Sequence, residues 1–141
     1  APQDTVILGR RSYDEWADYW PTSDVEPFAS FINPVRKLVA TSSPLDRDWP
    51  AVTRIEGDLA DAVRALKSTE GGDIGVHASI SVARSLLAAG VVDELHLVVA
   101  PMIAGAGVRL LDDLPAIRLE NLSTTATPSG ALLLRYRVLP A

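Results

Sequence analysis

Residues 74–90, Ile-Gly-Val-His-Ala-Ser-Ile-Ser-Val-Ala-Arg-Ser-Leu-Leu-Ala-Ala-Gly, restrict the possible folds of this chain more than any other stretch. An apolar strand-like run passes straight into a helical pattern that opens on Ala78 and Ser79. The first N–H groups of such a helix have no partner inside it, and the aligned peptide dipoles add partial positive charge there. The turn at 76–80 can therefore cradle a phosphate, although a small-residue helix start also serves close packing.

The rest of the first half repeats this grammar. Strands are expected at 5–8, 37–41, 52–55 and 74–77, and helices at 12–19, 58–67 and 79–89. Pro21 halts the first helix. Asp58 is placed to cap the second, with Leu59, Ala62, Val63 and Leu66 on its apolar face. Gly90 closes the third, where a left-handed residue is cheap. The second half changes character. Residues 94–100 form a nearly continuous apolar run, expected to be a strand buried on both faces. Segments at 117–121 and 132–138 alternate, with Leu132, Leu134, Tyr136 and Val138 on one face and Arg135 and Arg137 on the other. The Pro128-Ser129-Gly130 turn between them predicts a terminal antiparallel hairpin. Alternating strands and helices followed by a hairpin predict an α/β fold in one domain over 1–141. Its mixed sheet would be mainly parallel with a C-terminal antiparallel hairpin, flanked by helices.

Composition removes several classes of function. A length of 141 residues with 48% hydrophobic side chains suffices for one buried core. The net charge of −5 disfavours broad binding to nucleic acid or anionic membrane surfaces, though a small arginine cluster could still hold one phosphate. No cysteine is present, which excludes disulfides, thiolate zinc sites and thiol nucleophiles. Two histidines without cysteines give no metal-ligand spacing, so no metal is expected. No apolar run approaches the roughly 20 residues that span a bilayer, and a cytoplasmic protein is expected.

Three turns follow predicted strands, where open α/β sheets bind ligands. Gly9-Arg10-Arg11-Ser12 combines close backbone approach, two forked guanidinium groups and a hydroxyl; the same residues serve equally as a helix cap with two solvated arginines. Thr41 and Ser42 offer hydroxyls, or form an ordinary loop before Pro44. Val76, His77, Ala78, Ser79 and Ile80 form the third turn. Tyr13, Trp16, Tyr19 and Trp20 make an aromatic face that either packs in the core or, through Tyr13 or Trp16, walls a flat substrate. His77 is the one titratable side chain at the third turn. It is a candidate proton donor or a hydrogen-bonded structural residue.

Several motifs occur in order: Val6-Ile7-Leu8-Gly9-Arg10-Arg11-Ser12-Tyr13, Lys37-Leu38-Val39-Ala40-Thr41-Ser42 and Gly75-Val76-His77-Ala78-Ser79-Ile80, then Gly90-Val91-Val92-Asp93-Glu94-Leu95 and Pro101-Met102-Ile103-Ala104-Gly105-Ala106-Gly107. Together they resemble the dihydrofolate reductase-like family, and more narrowly its RibD C-terminal-domain-like reductases. The resemblance implies an NADPH-dependent reductase that transfers hydride to a small planar heterocycle, pterin- or pyrimidine-like, as in riboflavin biosynthesis. It implies Gly9, Arg10, Arg11 and Ser12 at the cofactor phosphates, with an arginine favouring the 2′-phosphate of NADP. Thr41 and Ser42 would lie near the adenosine, Ala78, Ser79 and Ile80 would offer amides to the pyrophosphate, and Val76 and His77 would lie nearer the nicotinamide. Gly105 and Gly107 would shape a turn. Relatives suggest a homodimer, for which the apolar segment 95–103 is suited.

Two departures from the family pattern stand out. Gly is commoner where Ala78 stands, and a Cβ narrows the approach to phosphate. Family members also carry a strand and long loop before the segment matching 5–8, which this sequence does not show; either an N-terminal segment is omitted or the fold fills a central gap, and omission is expected. Both departures favour the alternative of a non-catalytic, dinucleotide-binding or structural relative.

Overall fold

The computed structural model describes residues 2–141. The chain forms two compact units, the first ending at Ser85 and the second running from Leu86 to Ala141.

The first unit carries a four-stranded parallel sheet in the order β3-β2-β1-β4. Its strands are β1 (Gln3–Gly9), β2 (Arg36–Ala40), β3 (Val52–Arg54) and β4 (Asp73–Val76). Helix α1 (Arg10–Tyr19) starts directly at the end of β1 and gives way to a 3₁₀ turn at Trp20–Thr22, where Pro21 can no longer supply an N–H. A short helix, α2 (Phe28–Ile32), lies in a stretch that carried no expected element. Helix α3 (Leu59–Lys67) is capped by Asp58, whose Oδ1 accepts from the Asp61 N–H at 3.0 Å. Helix α4 (Ile80–Ala88) ends at Gly90, whose φ of +72° is left-handed and whose N–H reaches the Leu87 carbonyl.

Strand β1 is central, and Val6, Ile7 and Leu8 are all fully buried. A parallel strand covered on both faces must be apolar in consecutive positions rather than in alternate ones. Val6 and Leu8 pack with Val39, Tyr13, Ala17, Ile32 and Trp49. Trp16, Trp20, Phe28 and Phe31 close the margin of that cluster.

Lys37 is buried in this core with no exposed surface. Its Nζ donates to the carbonyls of Ile32, Asn33 and Val35, each at 2.8 Å, and lies 4.4 Å from the centre of the Trp49 ring. The ammonium thus answers carbonyls that the end of α2 leaves unpaired. Burial lowers its pKa to about 8, so at neutral pH the charged, three-donor form prevails.

The second unit carries an antiparallel sheet in the order β5-β7-β6, built from β5 (Glu94–Val99), β6 (Leu119–Ala126) and β7 (Leu132–Val138). The β6–β7 hairpin is the one expected from the Pro128-Ser129-Gly130 turn. The expected α/β class, with parallel strands, a C-terminal antiparallel hairpin and flanking helices, is what the chain forms, its strands hydrogen-bonded in two sheets with β4 an edge of one and β5 an edge of the other. One expectation is corrected. Strand β5 is not buried on both faces: Val98 is 72% exposed, and Glu94 and His96 are solvated. A continuous apolar run signals a two-face-covered strand only when layers lie on both sides. Here β5 has one partner strand, β7, and Glu94 pairs across it with Arg135 at 2.9 Å. Arg135 and His96 together hold the Glu94 carboxyl down at about 2.

Replacing Lys37 with Met leaves one buried and two half-buried carbonyls without their donor. It should lower unfolding free energy by about 3 kcal/mol in chemical denaturation.

Candidate functional site

Parallel pairing aligns the carboxyl ends of the four strands, with Gly9 beside Ala40, Ile7 beside Val76 and Val39 beside Arg54. From β1 the chain moves outward through β2 to β3, then returns to place β4 on the other side of β1. The strand order therefore reverses between β1 and β4, which is where open α/β sheets form a ligand crevice.

The first and third turns meet at this point through side chains. The Gly9 N–H donates to Ser79 Oγ at 2.8 Å, and the same hydroxyl donates to the His77 carbonyl at 2.8 Å. Ser12 Oγ donates to the Ala78 carbonyl at 3.2 Å. A Cβ on Gly9 would sit 3.4 Å from Val82 Cγ2, so the bare backbone there permits close approach of α4. The second turn joins through Arg10, whose Nη1 donates to the Pro44 carbonyl at 3.0 Å. All three turns thus occupy one edge of the sheet.

The individual residues serve in ways that spacing did not distinguish. Ser12 and Ser79 are buried, and both hydroxyls are engaged in the junction. Ser12 therefore spends its hydroxyl proton within the junction. Tyr13 as a substrate wall is corrected. It is fully buried, and its hydroxyl donates to the Arg47 carbonyl and accepts from the Arg47 N–H at 3.0 and 2.9 Å. The aromatic face expected along α1 is real, but Tyr13 is its inner end. Trp16 is half-buried, with its ring centre 6.3 Å from that of His77 and 5.7 Å from that of Phe28.

Arg10 spends its guanidinium inside the protein. Nε lies 2.9 Å from Asp14 Oδ1 and Nη2 lies 3.2 Å from Asp46 Oδ1, in addition to the Pro44 contact. Arg11 is exposed and makes no hydrogen bond or ion pair among the described residues. Ala78 is exposed at a left-handed φ of +55°, a conformation that costs a non-glycine residue about 1 kcal/mol. Ile80 is the first residue of α4, and Val76 the last of β4.

His77 is half-buried against aromatic rings, with centroids of Trp16, Phe28 and Phe31 at 6.3, 5.8 and 6.3 Å. Its Nε2 meets Gln3 Oε1 at 2.8 Å. The Gln3 amide lies across Gly75, where an added Cβ would collide with it. Burial lowers the His77 pKa below its ordinary 6.5.

Thr41 and Ser42 line an open cavity of about 450 Å³ together with Arg54, Ile55, Glu56, Gly57 and Leu59. Arg54 Nη1 donates to the Ser42 carbonyl at 3.0 Å and Nη2 lies 3.4 Å from Glu56. Sequence reasoning missed Arg54 and Glu56. Arg54 lies within the strand expected at 52–55 and Glu56 just past it, and the end of that strand was the available signal, the same one that marked the other three turns.

The comparisons with known proteins agree with this architecture. "Uncharacterized protein YyaP" of Bacillus subtilis (strain 168) is 27% identical over 138 residues, covering 94% of this chain and 73% of that protein. A candidate riboflavin biosynthesis protein from Shewanella sp. PV-4 superposes with a TM-score of 0.79 at 15% identity, over 98% of this chain and 75% of the other. A pyrimidine reductase-like protein from Corynebacterium diphtheriae does so at 0.71 and 19% identity, over 99% and 77%. At these identities the two structures establish the fold alone. Residues 3–133 match the family described as the RibD C-terminal domain, and the chain belongs to that family.

Proposed function

We propose that this chain is an NADPH-dependent reductase that delivers hydride to a small planar heterocycle, pyrimidine- or pterin-like. The observation that carries this reading is the hydrogen-bonded junction of the Gly9 and Ser79 turns at the reversal of strand order. The polar cavity at Thr41 and Ser42 lies along the same edge. The donor set suits a dinucleotide. The α4 start presents free N–H groups behind a side chain no larger than a methyl at Ala78, and Arg11 offers an uncommitted guanidinium. Family membership supports a reductase fold, and likeness to the pyrimidine reductase-like protein of Corynebacterium diphtheriae supports a pyrimidine-like acceptor.

NADPH, when bound, would supply the hydride. The chain's own contribution is position and a proton. Trp16 offers the half-buried ring against which a flat acceptor can stack. His77, beside it, is the titratable group able to give the balancing proton. Ala78 favours a second reading, a dinucleotide-binding relative without turnover, because its Cβ stands where the phosphate approaches. A cytoplasmic homodimer accompanies the proposal, supported in the second unit by exposed Val98, Met102 and Ile103, the last 96% exposed.

Titration with NADPH, followed by loss of reduced-nicotinamide absorbance with pyrimidine and pterin acceptors, separates the readings. Binding with turnover supports the reductase, binding alone supports the second reading, and no binding removes both. Arg11→Ala should weaken NADPH more than NADH by roughly 1 kcal/mol; equal weakening would argue against a 2′-phosphate contact. Ala78→Gly relieves left-handed strain and opens the cradle, so NADPH should bind more tightly without loss of thermal stability. If His77 gives the proton, turnover falls as pH rises through a midpoint below 6.5, because only the imidazolium can donate and burial lowers its pKa. His77→Gln should abolish that limb of the pH profile.

A further inference from the structure

We infer that Asp46 sets how strongly this protein distinguishes a 2′-phosphorylated dinucleotide from an unphosphorylated one, by occupying the outer end of the Arg10 guanidinium. The inference rests on the dinucleotide reading above and concerns a residue outside the motifs that suggested it.

Arg10 has one exchangeable contact. Its Nε–Asp14 pair is an i, i+4 contact along α1, and its Nη1 contact is to the Pro44 backbone carbonyl. The Nη2 contact, to Asp46 Oδ1 at 3.2 Å, is the longest of the three and is exposed to solvent, with the Asp46 side chain 61% accessible. Asp46 also has a second cation. Arg47 Nη1 lies 2.7 Å from the same oxygen and is held in turn by Asp14 at 3.1 Å, while Arg47 Nε meets Asp18 at 3.4 Å. Asp46 can therefore release Arg10 and remain paired.

The two kinds of ligand meet this arrangement differently. A phosphate carries more charge than the carboxylate and can replace it on Nη2, leaving Asp46 paired with Arg47. A ribose hydroxyl brings no charge and cannot displace the carboxylate, so the Arg10–Asp46 pair stays closed. The phosphorylated ligand thus has to compete with Asp46 and bind beside a retained negative charge, whereas the unphosphorylated one avoids both penalties. Asp46 restrains a preference that Arg10 and Arg11 would otherwise make larger.

The test is equilibrium binding of NADP and NAD, measured by calorimetry at low and at high salt, for the wild type, Asp46→Asn and Asp46→Glu. Asp46→Asn should tighten NADP roughly two- to fivefold, the scale of one partly exposed ion pair, and leave NAD within twofold. The gain should shrink at high salt. Asp46→Glu keeps the charge and should keep wild-type discrimination. Equal changes for both ligands with Asp46→Asn, or weaker NADP binding, would overturn the role of Asp46 while leaving the dinucleotide reading in place. Failure of all three proteins to bind either ligand would overturn both. Asp46 is a surface residue, and unchanged thermal midpoints across the three proteins exclude misfolding as the cause of any difference.

Discussion

The hydroxyl of Ser79 holds the candidate site together. It accepts from the Gly9 amide and donates to the His77 carbonyl, so one small side chain satisfies two backbone groups from turns 70 residues apart in sequence. Those groups lie at strand ends inside the sheet edge, where an unpaired amide would cost about as much as a lost hydrogen bond. Ser12, reaching the Ala78 carbonyl from α1, adds a second tie across the same junction. The small residues at the α4 start are therefore explained by packing as well as by anion binding. Alanine and serine are what allow α1 and α4 to start side by side.

Around that junction the charged groups are arranged as anchors. Lys37 neutralises the carbonyl end of α2 from within the core, and its Trp49 neighbour donates from Nε1 to Asn33 Oδ1 at 2.9 Å. Asn33 then donates to the Trp20 carbonyl, so side-chain bonds tie the end of α2 back to the 3₁₀ turn that follows α1. Arg47 does the same for the loop after β2, by pairing with Asp14, Asp18 and Asp46 while its backbone grips the Tyr13 hydroxyl. These contacts place Arg10 near the cavity without leaving it free, which distinguishes it from its neighbour Arg11.

Much of the local structure was readable from residue types. Apolar residues at 5–8 marked a strand, Asp58 and Gly90 marked the ends of two helices, and the 128–130 turn marked the hairpin. The same apolar signal misled at β5, because it reports what a strand could bury rather than what lies against it. Tyr13 and Trp16 read alike as members of one aromatic face. Which end of that face turns inward depends on the path of residues 42–50, and nothing local encodes that path. Arg54 and Glu56 went unnoticed although a strand was expected at 52–55, because neither residue type there forms a recognisable motif and their joining with Thr41 and Ser42 is made by the pairing of β2 with β3.

Sequence alone determined where strands give way to helices, and with it the family and the kind of ligand edge such a sheet presents. These depend on short-range properties: hydrophobic period, capping side chains, and glycine or proline at breaks. Only the tertiary structure decided which polar groups at that edge remain available. Ser12 and Tyr13 each had a hydroxyl able to meet a ligand, and each is engaged instead by a partner 66 or 34 residues away in sequence. Hydrogen-bonding capacity belongs to the residue type, but its use is fixed by whichever group the fold brings within about 3 Å.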